Sequence, residues 1–502
     1  MRDLQARVSF TGAGMEILGR SGRIGGATLS EVRAHTPNLR RAGPPLRITG
    51  QAAGELRDMQ AFLDASPLGE RYRGLAGKLR PTGPAGLELE LKIPLRPTQG
   101  AFGMKGTLRL ADNRLRVEEY ALDLEGLQGQ VLFTEASIGS RELQGRLWDA
   151  PLRIDLDTRP AREGGYHRIR LQSRLDLIGR LREREWPLAE RFDGQADWRA
   201  EIRVQPPQPG EATALYLELG SDLRGIGVTL PPPLAKAASD ARPLRLWRTL
   251  SAGRTGPLWV QYGEDLQAVL DLEATATGQR LVRGAVQFGS GVAQLPDAEV
   301  LRLAGRLPRL SLADWLPQPA TGGDAVAPAL PPLEVDLALQ ELEIQNRLVR
   351  EVGLRVRRED SDWAVELSGR GAQGQLQLTP GTGGLERIRA ELDHLRIVPP
   401  PDGPALPQEQ RPDPRTLPAL SIRIGELSNG GRLLGDLRLE TARRADGLRV
   451  EQLALVAEDY RLQLQGDWVM TAAEQPVSRF ELQLEEGNLG ALLEAFHHER
   501  IM

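Results

Sequence analysis

Leu87-Glu88-Leu89-Glu90-Leu91-Lys92-Ile93 alternates apolar and charged residues over seven positions. On a β-strand, successive side chains point to opposite faces, so such a run has one face for water and one for a dry environment. The same period recurs in Leu152–Leu156, Leu333–Leu337, Leu420–Ile424, Tyr460–Leu464 and Phe480–Leu484. Shorter segments repeat it at Thr107–Leu110, Leu215–Leu219, Leu244–Leu246, Leu270–Leu272, Leu354–Val356, Val365–Leu367, Leu376–Leu378 and Leu437–Leu439. The connections are short and rich in Gly or Asp, as hairpins need, and no helical crossover separates most of them. The pattern predicts an all-β-dominated chain: an elongated antiparallel meander of repeated strand units with a few short helices.

Helical spacing appears at Gly54–Leu63, with a continuation at Glu70–Leu79 after Pro67. Pro231–Ala238 opens with prolines that suit a helix N-terminus, and Leu310–Leu316 and Leu489–Phe496 read as short amphipathic turns. Proline clusters at 317–332 and 398–418 read as exposed loops between strand blocks. The expected organisation is therefore 1–80 strand and short helix, 81–316 a central β region, 333–397 and 419–496 two β repeats, and 497–502 a tail. The two repeats echo each other: Leu333–Leu337, Gly353–Val356, Trp363–Val365 and Gln375–Leu378 parallel Leu420–Ile424, Gly435–Leu439, Leu448–Val450 and Leu462–Gln465. Each unit is about five strands, which implies growth in one dimension.

At 502 residues the chain exceeds one ordinary core, and 40% apolar against 26% charged is a globular balance. Net charge −4 gives no global attraction to nucleic acid. Zero cysteines exclude disulfides and thiolate chemistry. Leucine numbers 82 while aromatic residues are 4%, which suits a smooth aliphatic face at least as well as an interlocked core. The 60 Arg against 4 Lys reflect codon usage in a GC-rich genome rather than an arginine-based function.

The chemical motifs are weak. Gly369-Arg370-Gly371-Ala372-Gln373-Gly374 matches a dinucleotide fingerprint as a string, but strand patterns flank it and no helix follows, so it reads as a hairpin. Of His35, His167, His394, His497 and His498, only the terminal His497-His498-Glu499 approaches ligand spacing, and it reads as a frayed tail. Trp198, Trp259, Trp315, Trp363 and Trp468 are spread as packing anchors, and the acidic residues lie on wet strand faces. No catalytic group, metal site or cofactor is expected.

One set of ordered blocks carries a resemblance. It runs from Leu223-Arg-Gly-Ile-Gly-Val-Thr-Leu-Pro-Pro-Pro-Leu-Ala-Lys236 through Pro243–Leu246, Val260–Gly263 and Leu281–Val286 to Gly305–Leu316, with Met59–Leu68 ahead of it. In these blocks the chain resembles the YhdP family of the AsmA-like superfamily. The resemblance implies an inner-membrane-anchored protein of the periplasm, with a rolled sheet whose hydrophobic groove passes phospholipid toward the outer membrane. It also implies that the anchor lies in regions absent from this chain and that the chain is an internal fragment. Roughly twenty strands at ~4.8 Å would give a sheet on the order of 100 Å long.

The apolar positions expected to line that groove are Leu87, Leu89, Leu91, Leu108, Leu110, Leu215, Leu217, Leu219, Leu270, Leu272, Val335, Leu337, Val365, Leu367, Ile422, Ile424, Leu437, Leu439, Leu462, Leu464, Leu482 and Leu484. Their partner would be the acyl chains of phospholipid, with apolar burial as the driving term. A second reading is a non-catalytic structural or assembly module whose sheets bury each other as sandwiches. An envelope polysaccharide enzyme is a third and more remote one.

Overall fold

The computed structural model describes residues 2–39, 44–64, 79–96, 100–118, 122–160, 165–183, 189–205, 214–251, 254–275, 278–315, 330–344, 347–381, 384–398, 413–471 and 475–486. Contacts divide the chain into a first unit, Met1–Val228 with Lys236–Gln261, and a second, Thr229–Ala235 with Tyr262–Met502.

In the first unit, β1 (Arg2–Thr11), β2 (Gly14–Ile24), β3 (Ala27–Thr36) and β4 (Leu46–Glu55) pair in sequence order. β5 (Leu79–Thr82) is a short partner of β7 (Gly103–Val117), and β6 (Pro84–Ile93) lies between β4 and β7. β8 (Leu122–Thr134), β9 (Ile138–Leu147), β10 (Ala150–Thr158) and β11 (His167–Leu175) continue the meander. β12 (Phe192–Gly194) pairs apart with β15 (Ile226–Val228), while β13 (Ala196–Gln205), β14 (Ala214–Ser221) and β16 (Leu244–Ser251) follow β11. β17 (Arg254–Thr255) and β18 (Leu258–Tyr262), in which the division between units falls, end it. Every one of these pairings is antiparallel, as hairpin-length connections require.

The second unit holds β19 (Leu266–Thr275), β20 (Gly278–Phe288), β21 (Leu301–Ser311) and then two blocks of five strands. The first block is β22 (Leu333–Ile344), β23 (Arg347–Glu359), β24 (Asp362–Gly369), β25 (Ala372–Gly381) and β26 (Gly384–Val398). The second is β27 (Ala419–Asn429), β28 (Arg432–Arg444), β29 (Gly447–Val456), β30 (Tyr460–Met470) and β31 (Pro476–Glu486). Within each block neighbours are antiparallel, but β20–β21, β21–β22 and β26–β27 are parallel. The sheet is therefore mixed. A parallel neighbour needs a crossover of a dozen or more residues, and the proline-rich segments before β22 and before β27 supply that length.

Helices are few. α1 (Leu56–Asp64) starts where β4 ends and buries Met59 at 2% exposure against Ala85 and Leu87. Its start is pinned to the turn at Gly83: Leu56 N donates to Gly83 O at 2.9 Å, and Gly83 N donates to Glu55 Oε2 at 3.2 Å. The fully buried Asn113 holds that turn from below. Its Nδ2 donates to the carbonyls of Thr82 and Pro84, and its Oδ1 accepts Ala111 N, so a buried amide is fully paired. A helix at Leu177–Glu183, which the sequence reading did not anticipate, starts on Asp176, whose Oδ1 accepts Gly179 N at 2.7 Å.

One expectation needs correction. Pro231–Ala238 is not a helix but a turn, and Val228 and Lys236 bridge across it by backbone hydrogen bonds in both directions. A proline disfavours helical backbone in the residue before it, and both Pro231 and Pro232 are followed by proline. Within 310–316 the expected helical turn is present at Leu312–Trp315, after Leu310 and Ser311 close β21, and residue 316 lies outside the described residues. The Gly369–Gly374 string does form the expected hairpin between β24 and β25. The helix continuation at 70–78, the turn at 489–496, the tail at 497–502 and most of the proline-rich loops lie outside the described residues.

Candidate functional site

Pairing registers show what the alternating leucines do. In the second unit one apolar row crosses thirteen strands from β19 to β31. It runs Ala268–Val286–Leu303–Val335–Val356–Val365–Leu376–Ala390–Ile422–Leu439–Leu453–Leu464–Leu482, each residue directly opposite the next. A second row on the same face runs Leu266–Phe288–Gly305–Leu337–Leu354–Leu367–Gly374–Leu392–Ile424–Leu437–Leu455–Leu462–Leu484. Val335, Val365, Ile422, Leu439, Leu464 and Leu482 thus share one row, and Leu337, Leu367, Ile424, Leu437, Leu462 and Leu484 the other. Leu270, opposite Gly284, stands one row further along this face, and Leu272, opposite Leu281, lies past a bulge.

From β22 to β28 the other face is polar, whereas at β19 and β20 it carries the buried pair Val269 and Ala285. Asp336, Arg355, Glu366, Gln375, Glu391, Arg423 and Arg438 are successive cross-strand partners. Arg355 reaches Asp336 at 3.4 Å and Glu366 at 3.6 Å. These exposed pairs contribute little stability each, but they mark this face as the wet one.

Burial along the apolar face is uneven. Leu337 is 5% exposed and Ile424 4%, and Leu354, Val365 and Leu367 are also buried. β23 pairs with β26 as well as with β22 and β24, through Leu348↔Val398 and Val349↔Ile397, so the sheet curls back on itself there and its apolar rows face each other. Toward β31 the first row opens, while in the second Leu455 is still 5% exposed. Leu437, Leu439, Leu462 and Leu464 are half-buried, and Leu482 is 57% exposed. A single dry face is therefore a closed core at one end of the unit and an open trough at the other.

In the first unit, Leu87 and Leu108 sit in a row Leu29–Ala52–Leu87–Leu108–Val131, and Leu91 in a row Val8–Ile17–Ala34–Ile48–Leu91–Met104. Between them Leu89 faces Gly50 on one side and Gly106 on the other. Leu110 lies opposite Ala85 and Gly129. The Phe133 ring occupies the space that a Gly106 side chain would take. Over Gly50 the Val32 side chain comes within 3.2 Å of where a β-carbon would stand, and beside it lies a cavity of about 250 Å³, lined by Leu87, Leu89 and Leu91 with Leu29, Val32, Ile48, Ala52 and Met59.

Leu215, Leu217 and Leu219 on β14 belong to three further rows. Leu219 continues Ile154–Leu171–Ala200 toward Leu246, and Leu215 stands between Val204 and Leu250. Leu217 continues Leu156–Ile169–Ile202, but its partner on β16 is Arg248. The guanidinium turns back to donate to Gly256 O at 3.0 Å. An apolar row ends on a cation there, which strand period alone does not reveal.

The opposite face of β14 carries an aromatic and charged cluster that sequence reasoning missed. Arg245 donates to both Glu218 oxygens at 2.8 Å, Tyr216 donates to Glu218 at 2.9 Å, and Arg203 lies 4.7 Å from the Tyr216 ring centroid. Arg245 also lies over Trp247, which stacks on Trp259 at 6.0 Å. The Arg245 fork holds the Glu218 carboxyl below its usual range against an opposing desolvation, and Tyr216 adds a second hydrogen bond. Burial and the bond to Glu218 push the Tyr216 phenol up. A carboxylate with a depressed folded pKa adds stability above its unfolded pKa and loses it as pH falls through the folded one. Glu218→Gln is therefore expected to lower the melting temperature at pH 7, and the gap to the unsubstituted chain should narrow as pH falls below the ordinary glutamate range. A gap that persists unchanged at pH 3 would mean that packing, not the ion pair, sets the difference.

Among the described residues no three His, Asp or Glu side chains are grouped to hold a metal, and no helix is long and apolar enough to cross a membrane. What the geometry offers is a dry face backed by a wet one, with room on the dry face in both units.

The profile of the YhdP protein family matches residues 1–501. Over 242 residues, 48% of this chain, the sequence is 24% identical to the intermembrane phospholipid transporter YhdP of Escherichia coli (strain K12). That match spans 18% of the relative's length, so the chain corresponds to a small part of it. With the family pattern running from end to end, the chain belongs to the YhdP family.

Proposed function

We infer that the chain is a non-enzymatic segment of an envelope protein that passes phospholipid between the inner and outer membranes, acyl chains on the apolar face and headgroups in periplasmic water. The observation that carries this reading is the apolar row from Ala268 to Leu482, unbroken over thirteen strands and backed from β22 to β28 by a charged face. An acyl chain needs no specific contacts to move along such a row, only continuous apolar surface, at roughly 25 cal/mol per Å² buried. The name of the Escherichia coli relative supports the phospholipid and the two membranes. The buried stretch around Leu337 and Ile424 also suits the alternative, an assembly module with sandwich-like cores. The half-open stretch from β28 to β31 favours the groove.

Neighbouring residues on one strand make the test. A photo-crosslinking residue at Leu464 is expected to capture phospholipid in cells, and the same residue at Gln463, which faces the other way between Ala454 and Gln483, is not. Organic extraction and mass spectrometry of the purified adducts identify the lipid. Equal capture at both positions, or none at Leu464, removes the one-sided groove and leaves the assembly module.

A further inference from the structure

The cavity of the first unit and the helix beside it belong together. α1 lies across the apolar face on the row that contains Ala52 and Leu87, with Met59 as its one fully buried side chain among the described residues. The next two rows, through Gly50 and Leu89 and through Ile48 and Leu91, are not covered by it, and the cavity of about 250 Å³ opens over them. Sites for whole drug-sized ligands run to roughly 300–1,000 Å³, so this space suits one segment of a single acyl chain and not a diacyl lipid. A chain reaching these rows from the Ala85 side of the dry face meets Met59 first.

We propose that this cavity holds one acyl chain of a phospholipid and that α1 is its gate, Met59 giving up its place on Ala85 and Leu87 to let the chain pass. The proposal rests on the groove reading above. A nine-residue helix is too short to be stable on its own, so α1 stays on the sheet through its packing, chiefly Met59. Burying a methionine side chain is worth about as much as burying three methylenes. An acyl chain that slides under α1 therefore replaces the contact it displaces with a comparable one. The pivot is built in: the start of α1 is hydrogen-bonded to Gly83.

The chain has no cysteine, so a lock can be introduced without competing thiols. A β-carbon at Gly26, in the β2–β3 turn, would stand 2.7 Å from Asp58 Cγ. One C–C bond further, the two β-carbons fall within the roughly 3.5–4.5 Å of a disulfide. The experiment uses Gly26→Cys/Asp58→Cys in the intact protein in cells, oxidised or reduced, with a photo-crosslinking residue at Leu89 or at Leu464. With α1 locked, phospholipid capture at Leu89 is expected to fall at least fivefold and to return on reduction, while the protein stays folded in both forms. Undiminished capture at Leu89 in the oxidised form overturns the gate and makes α1 a fixed cap. Capture at neither residue in the reduced form overturns the groove itself, and the gate with it. As a second variant, Met59→Ala is expected to raise capture at Leu89 about twofold by enlarging the cavity, and a decrease in a folded variant counts against the proposal.

Discussion

Leu337→Asp is expected to unfold the second unit at pH 7, whereas Leu482→Asp should leave its melting temperature within about two degrees of the starting chain. Both leucines lie on the same dry face, yet Leu337 is 5% exposed and Leu482 57%. At Leu337 the change removes a buried side chain, about 2–5 kcal/mol, and introduces a carboxyl beside Leu354 and Gly305 with no cation opposite it. Such a group either ionises at a cost of several kcal/mol or stays protonated. Together these reach the ~5–15 kcal/mol by which a domain is stable at all. The carboxyl's folded pKa would lie above its unfolded value, so the damage grows with pH above the ordinary carboxylate range and is smaller in acid. Leu482 can turn its carboxylate into water with little loss. Thermal denaturation and limited proteolysis of the two variants at pH 7 and pH 4.5 check this. A stable Leu337→Asp chain would contradict the closed curl between β22 and β26.

That contrast also marks where the sequence stops informing. Period two identified the strands and their dry faces, because alternation is a local property of the chain: Val335 and Leu337 share a face whatever pairs with them. α1 was legible for the same reason, its apolar spacing placing it at Gly54–Leu63 against the observed Leu56–Asp64. About twenty strands were expected and thirty-one are present among the described residues, β12, β15 and β17 among them being too short to show a period. Strand direction was invisible. Nothing in Leu333–Leu337 distinguishes a parallel from an antiparallel neighbour, and the only trace was the length of the proline-rich segments before it. Nor could alternation say that Leu217 would face Arg248, or that a cavity would lie beside Gly50 and Val32 while Phe133 filled the space over Gly106. Those depend on which residue of a distant strand lies opposite, a register set by bulges and by glycines such as Gly305 and Gly374. Both have positive φ, and at each a side chain would strike a backbone carbonyl across the ladder.

Leu464→Asp should leave the protein folded and cut phospholipid supply to the outer membrane at least tenfold when carried in the intact protein. Leu464 is half-buried in the open stretch, between Leu453 and Leu482 in the long row. A carboxylate there can draw in water, so the cost to folding is that of a partly exposed site, within about 1–2 kcal/mol. For an acyl chain the same water is an obstacle. Each methylene that must leave apolar contact to cross it loses about 0.8 kcal/mol, and two such methylenes raise the barrier enough for a roughly tenfold slower passage. Gln463→Asp is the control: it adds the same charge one residue away, on the wet face, and should change neither stability nor transport by more than about twofold. The measurements are the melting temperature of the purified variants and the rate at which labelled phospholipid reaches the outer membrane in cells. A Leu464→Asp protein that melts like Leu337→Asp would show that the rows are closed through β30, as in a sandwich. One that is folded and fully active would place the lipid path elsewhere.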